Sequence, residues 1–172
     1  MRDTGYGFRI MQHETRNAEL EFETWNLEFE TCNSYSMIEQ FEISLPAFKR
    51  GYHLITELIE RQLPKLPEKG LVSLLLQHTS AGISLNENAD PSVRYDFETF
   101  MNKLVPENDP GFIHVLEGSD DMPAHLKSSL IGASLTIPIT SHRLNLGTWQ
   151  GIYLCEFRNF GGRRKLVVTI VS

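Results

Sequence analysis

From residue 41 onward the apolar positions fall into two rhythms. Phe41-Glu-Ile-Ser-Leu45 alternates apolar and polar side chains, which predicts a half-buried strand. Leu54, Ile55, Leu58, Ile59 and Leu63 recur at helical spacing, with Glu57, Glu60 and Arg61 between them. A helix is expected there, with His53 on its outer face and Pro64 and Pro67 ending it. Gly70 opens an apolar strand, Leu71-Val-Ser-Leu-Leu-Leu76. Asp90-Pro91 is a capped helix start, and Val93, Phe97, Phe100, Met101 and Leu104 make the apolar stripe of the helix that follows, up to Pro106. Such a stripe reads as core packing.

Glu107 to Gly118 carries Asn, Asp, Pro and Gly and reads as a loop. Asp120-Asp-Met-Pro-Ala-His125 reads as another capped helix start, leading through Leu126-Lys-Ser-Ser-Leu130 to Gly132. Strands are expected at Ser134–Ile139, with Pro138 at an edge or bulge, at Gln150–Phe157, and after a Gly161-Gly162 turn at Arg164–Val171. In the last of these Leu166, Val168 and Ile170 face one way and Val167, Thr169 and Val171 the other. A strand apolar on both sides belongs between layers or at a subunit interface. The order of elements predicts an α+β fold, a sandwich or bent sheet with helices packed outside, and no internal repeat.

Residues 1 to 36 follow neither rhythm. Glu19-Leu-Glu-Phe-Glu-Thr-Trp-Asn-Leu-Glu-Phe-Glu30 alternates acidic and apolar residues, and period alone does not separate a polar-faced strand from a weak helix. The expectation is an N-terminal extension, 1–36, followed by one domain, 37–172.

At 172 residues the chain suits one domain with a real core. A net charge of −6 argues against broad nucleic-acid binding, which needs clustered Lys and Arg. It leaves room for a small phosphorylated ligand at a local basic site. Two cysteines, Cys32 and Cys155, permit one disulfide but no disulfide framework, and Cys155 reads as a reduced core thiol. No apolar run is long enough to span a bilayer and the N-terminus lacks a signal-peptide core, so a soluble cytoplasmic protein is expected.

The chemistry gathers after the Leu71–Leu76 strand. Gln77-His-Thr-Ser-Ala-Gly-Ile-Ser-Leu-Asn-Glu-Asn-Ala-Asp90 places an imidazole, hydroxyls, amides and two carboxylates at a strand end, where a sheet can hold them into a cleft. His114, in the loop, and His125, read as lying in the first turn of a helix whose dipole favours a neutral ring, can join His78 there. Three histidines can ligate zinc with a fourth position open, act as acid and base, bind phosphate, or serve as hydrogen-bonding structure. Their spacing matches no standard zinc signature. Glu87 has no local structural duty and is a candidate base or partner to an imidazole, whereas Asp90 is accounted for as a cap. Thr79, Ser80 and Asn86 are candidate substrate contacts, although the two hydroxyls can equally close a turn. Arg164, beside Arg163 after the glycine pair, can serve a phosphate or mark an exposed hairpin tip. Trp149, between glycines, reads as core or interface packing before ligand stacking.

Taken together, His78-Thr-Ser-Ala, Leu85-Asn-Glu-Asn-Ala-Asp90, His114, Glu117-Gly118, Asp121-Met-Pro-Ala-His125, Ser134-Leu-Thr-Ile-Pro138 and Leu146-Gly-Thr-Trp-Gln-Gly-Ile152 resemble the YjbQ family, also called UPF0047. The resemblance runs from about Met37 to the C-terminus. It implies a β-sandwich with flanking helices, a homotrimer, and a site near the subunit boundary at His78, His114 and His125. It also implies secondary thiamine-phosphate synthase activity, a transferase reaction that joins a pyrimidine-methyl diphosphate to a thiazole phosphate and releases diphosphate. A divalent metal, zinc or magnesium, is the candidate cofactor at the three histidines. Two other functions remain open: a metal-dependent hydrolase with Glu87 as base, and a non-enzymatic trimeric metal- or ligand-binding protein. The chain departs from the family at His142-Arg143, where a turn glycine is common, and in residues 1 to 36, since the usual start falls at Met37.

Overall fold

The computed structural model describes residues 37–172; the expected extension, with its Glu19–Glu30 alternation and Cys32, lies outside the described residues. Two antiparallel sheets and three helices make up the described fold. The larger sheet has the order β1-β8-β3-β5-β6, from β1 (Ile38–Leu45), β8 (Arg164–Val171), β3 (Lys69–Leu76), β5 (Ser134–Thr140) and β6 (Arg143–Leu144). The smaller has the order β2-β7-β4, from β2 (Gly51–Leu54), β7 (Gln150–Glu156) and β4 (Ala81–Glu87). The helices are α1 (Thr56–Glu60), α2 (Pro91–Leu104) and α3 (Asp121–Ile131).

Alternation along the strands sets the layers. Ile43, Leu45, Val72, Leu74, Leu76, Ile137, Ile139, Leu166, Val168 and Ile170 on the larger sheet form one core with Ile83, Ile152 and Leu154 on the smaller. The opposite face of the smaller sheet presents Tyr52, Tyr153 and Cys155, with Phe157 just past β7, packed with Ala124 and Ile131 of α3. The result is sheet, sheet, helices, the expected α+β sandwich with helices outside. Strand β7 lies in the middle of the middle layer, so six of its seven residues are buried. Strand β8 is different: Leu166, Val168 and Ile170 are buried as the alternation predicts, while Val167 and Thr169 are half-buried and Val171 is exposed. Its second face belongs to an open sheet surface across which Ile38, Val171, Leu71 and Pro138 align in register.

Two elements depart from the sequence pattern. The helical spacing from Leu54 to Leu63 shrinks to the single turn of α1, and His53 and Leu54 belong to β2, paired with Leu154 and Tyr153. The pairing wins because β7 offers a buried edge that a helix starting at Leu54 would leave without partners. The polar segment after His78 is itself a strand, β4, paired along its length with β7. Asp90 caps α2 as expected, its Oδ1 accepting from Ser92 N at 2.8 Å. The turn joining β5 to β6 has only two central residues, Ser141 (φ 50°) and His142 (φ 63°), both left-handed. Such turns favour Asn-Gly, and a non-glycine residue there costs roughly 1–2 kcal/mol.

Candidate functional site

The segment Gln77–Ser80 leaves β3 and enters β4, and α3 crosses beside it. Ser128 ties α3 to this edge by donating to Ala81 O at 2.7 Å. His125 points its Nδ1 at Thr79 O, 2.9 Å away. A carbonyl can only accept, so Nδ1 carries a proton and Nε2 is the nitrogen turned to the site. That Nε2 lies 3.4 Å from Asp121 Oδ2, and His114 Nε2 lies 2.8 Å from the same oxygen. His114, Asp121 and His125 thus bring one ligand atom each to within 4.8 Å of one another. Asp121 is 2% exposed. Its other oxygen is ion-paired to Arg158, whose Nη2 donates to Glu117 O at 2.9 Å.

Asp120 does not cap α3 with its side chain, contrary to the reading of this helix start. Its carboxylate turns to the β7–β8 connection, accepting from Asn159 N at 2.8 Å and Arg158 Nε at 3.2 Å. Burial pushes the Asp120 carboxyl up, but these hydrogen bonds and the Arg158 charge outweigh it and hold it below the ordinary range. His125 is the fifth residue of α3, not in its first turn, so its neighbour is the Asp121 carboxylate one turn back.

His78 stands apart from this trio. Its Nε2 receives Lys165 N–H at 2.8 Å, and Arg164 Nη1 approaches Nδ1 at 3.2 Å. A neutral ring has one lone pair and accepts from one donor, here the closer backbone N–H. Burial, followed by the Arg164 charge, lowers the His78 pKa, while Glu156 acts in the opposite direction. Arg164 is 4% exposed and closes two 2.7 Å bonds on Glu156, which is 0% exposed. Ser80 Oγ accepts from Arg164 Nη2 at 3.2 Å. Arg164 is therefore buried and paired with Glu156 rather than exposed at a hairpin tip.

Glu87 does not reach the histidines of its own chain. It ends β4, and the six steps back to Ala81 separate it from the Thr79 end by about 20 Å. Its carbonyl accepts from Tyr153 OH at 2.5 Å. Asn86 lies beside it, its Oδ1 accepting from Glu87 N at 2.7 Å. Trp149 lies toward that far end and is 64% exposed, neither core nor buried stacking platform. Gln150 closes the Gly147–Gln150 loop by accepting from Gly147 N at 2.8 Å. Of the anticipated residues, the fold joins His114, His125 and the Thr79 backbone, turns His78 and Ser80 to Arg164, and places Glu87 and Asn86 at the far end of β4.

Residues 40–172 match the family described as UPF0047 protein YjbQ-like. The chain belongs to this family. It is 49% identical over 133 residues to the UPF0047 protein YjbQ of Escherichia coli, covering 76% of this chain and 96% of that protein. A Salmonella typhimurium relative of the same description is 52% identical over 133 residues, with coverage of 76% and 96%. Among solved structures, a conserved hypothetical protein from Thermus thermophilus superposes with a TM-score of 0.65 at 36% identity, covering 75% of this chain and 97% of that one. A YjbQ/UPF0047-family protein from Clostridium acetobutylicum gives 0.62 at 36% identity, covering 77% and 99%.

Sequence reasoning missed Asp121 as a member of the trio, Arg158 as its support, and Glu156 as the partner of Arg164. Asp121 was detectable, since it precedes His125 by four residues and i, i+4 side chains share a helix face. Arg158 and Glu156 carried no such signal, because only tertiary packing brings Arg158 to Asp121 and Glu156 to Arg164.

The donor set suits a divalent ion. Two imidazoles and a carboxylate favour zinc or another first-row metal, whereas magnesium prefers oxygen ligands and water. Two of these three side chains are already oriented by partners behind them, His125 by Thr79 O and Asp121 by Arg158. His78 is not among these three side chains.

Proposed function

We propose that this YjbQ-like protein is an enzyme acting on a phosphorylated small molecule, with a divalent metal held by His114, Asp121 and His125. The convergence of these three ligand atoms within 4.8 Å carries the reading. Such a metal would polarise a phosphate oxygen and stabilise charge on a departing phosphate or diphosphate. The chain's own residues define the rest. Thr79 is exposed and its carbonyl accepts from His125, and Ser80 keeps its hydroxyl proton while accepting from Arg164. Both can donate to phosphate oxygens. The bond from His125 Nδ1 to Thr79 O turns the ring's Nε2 toward the site.

The reaction that the family resemblance suggests fits this arrangement. A pyrimidine-methyl diphosphate would lose its C–O bond to diphosphate while the thiazole nitrogen forms the new C–N bond, and negative charge would leave on the diphosphate. A site that stabilises such charge would lower the barrier. A second reading, metal-dependent hydrolysis, draws on the count of protein ligands: three leave a coordination position open for water. It would need a base other than Glu87 of the same chain.

We also infer a homotrimer. The open face of the larger sheet carries the apolar row Ile38, Val171, Leu71 and Pro138 with Leu75 nearby, and Leu71 and Leu75 are 46% and 47% exposed. A sheet face of this kind in register is suited to a subunit interface. The buried free thiol of Cys155 suits a reducing compartment such as the cytoplasm. The test combines elemental analysis of the purified full chain with diphosphate release from the pyrimidine and thiazole pair. Near-stoichiometric zinc with release lost in His125→Ala supports the proposal. Metal without release moves the assignment to hydrolysis or binding, and protein that takes up no added zinc sinks the metal centre.

A further inference from the structure

His142 and Arg143 line a cavity away from the trio. It opens between the segment after α1 and the β5–β6 turn and has a volume of about 350 Å³. Leu63, Leu66 and Leu144 give it apolar surface, and Lys65, His142 and Arg143 give it basic groups. His142 Nδ1 lies 2.9 Å from Leu66 O, so it carries the ring proton and leaves Nε2 with the lone pair. Lys65 and Arg143 are in no ion pair among the described residues, although the protein as a whole is acidic. The cavity lies at the Lys69–Thr140 end of β3 and β5, roughly 20 Å along the strands from the His114–Asp121–His125 trio's side of the fold.

The backbone adds a reason to think the turn serves more than a connection. Asn-Gly suits a left-handed two-residue turn, yet Ser141 and His142 occupy it at φ 50° and 63°. The imidazole is then clamped to the α1 side of the cavity. Backbone strain that a glycine would relieve is retained, and what it retains is a ring on the cavity wall.

We propose that this cavity is a second ligand site for an amphipathic organic anion, a single phosphate or carboxylate on an apolar body. Arg143 and Lys65 pair with the anionic head. His142 Nε2 accepts from the acid form of the head or, once protonated, donates to it. The leucines cover the body. Glu60, which also lines the cavity, sets the limit on ligand charge by repelling a polyanion.

Phenyl phosphate tests this on the full chain by amide-shift NMR titration, with inorganic phosphate as the head alone and phenol as the body alone. Saturable shifts at Lys65, His142, Arg143 and Leu144 are expected, with phenyl phosphate tighter than either fragment. Arg143→Ala and Lys65→Ala should each weaken it about tenfold. Glu60→Gln should tighten it. His142→Gly should raise the thermal midpoint, because it suits the turn, and still weaken binding. Octanoate in place of phenyl phosphate distinguishes a carboxylate head from a phosphate one. The proposal fails if no probe produces saturable shifts by about 10 mM, if the shifts centre on His125 and Thr79 instead, or if the Arg143 and Lys65 variants bind as the parent does.

Discussion

Asp121 and His125 stand four residues apart on α3, and Asp121 Oδ2 lies 3.4 Å from His125 Nε2. One helix face therefore supplies two of the three candidate ligands, and the loop ahead of it supplies His114. Isothermal titration with zinc should show that His114→Ala, Asp121→Asn and His125→Ala each weaken binding by at least about 100-fold, since each removes one of three protein ligands. Glu87→Gln should bind zinc as the parent does, because it ends β4 about 20 Å away. Equal weakening by Glu87→Gln would mean that another chain brings its Glu87 to the trio.

The Arg164–Glu156 pair is closed to solvent, and Gly161 is the reason it can be covered. A Cβ on Gly161 would lie 2.5 Å from Arg164 Nη2 and from both Glu156 carboxylate oxygens. Arg164→Met leaves a buried carboxylate without its cation and should cost about 3–5 kcal/mol in urea unfolding. Arg164→Met with Glu156→Leu should recover much of that loss. Gly161→Ala should destabilise the chain with both charges in place. A neutral Arg164→Met variant would show that the pair is not closed in solution.

His78 predicts a pH dependence with a definite sign. Burial and Arg164 lower its pKa in the folded chain, so the unfolded chain binds the proton more tightly. Stability from this group is complete above the unfolded value near 6.5 and falls as pH drops from there toward the lowered folded pKa. Protonation also removes the lone pair that accepts from Lys165 N–H. Unfolding free energies at pH 8 and at pH 5 should differ less in His78→Gln than in the parent. An unchanged difference would remove His78 as the titrating group.

Cys155 is fully buried in β7, and burial pushes its thiol up to about 12. A thiol reagent at pH 8 should leave Cys155 unmodified in the folded protein and label it at the rate of global unfolding. Peptide mapping separates this cysteine from Cys32. Rapid labelling of Cys155 would show that β7 opens locally.

The oligomer is checked by sedimentation equilibrium of the full chain, which should give about three chains per particle. Leu71→Lys, in the open row of the larger sheet, should shift the particle toward monomer while leaving the far-ultraviolet spectrum unchanged. A monomeric parent at micromolar concentration would remove the trimer.

Local chemistry made much of this protein readable from sequence. The alternation in β1 and β8, the Asp90-Pro91 start of α2 and the apolar run of β3 depend on neighbouring residues alone, and each appears where the pattern puts it. The motifs sufficed for the family. His114 and His125 were legible as candidates because polar rings in a loop and near a helix start have no place in an apolar stripe. Tertiary structure decided what those rings face. It put Asp121, rather than His78, between them, since α3 packs along the Ala81 end of β4 through Ser128. It buried Arg164 against Glu156 where the sequence showed only a basic pair after two glycines. It carried Glu87 away down β4, because pairing with β7 extends a segment that sequence proximity to His78 suggested was compact. Spacing along a chain fixes which residues can share a helix face or a strand face, but long-range strand pairing and helix docking fix which faces meet.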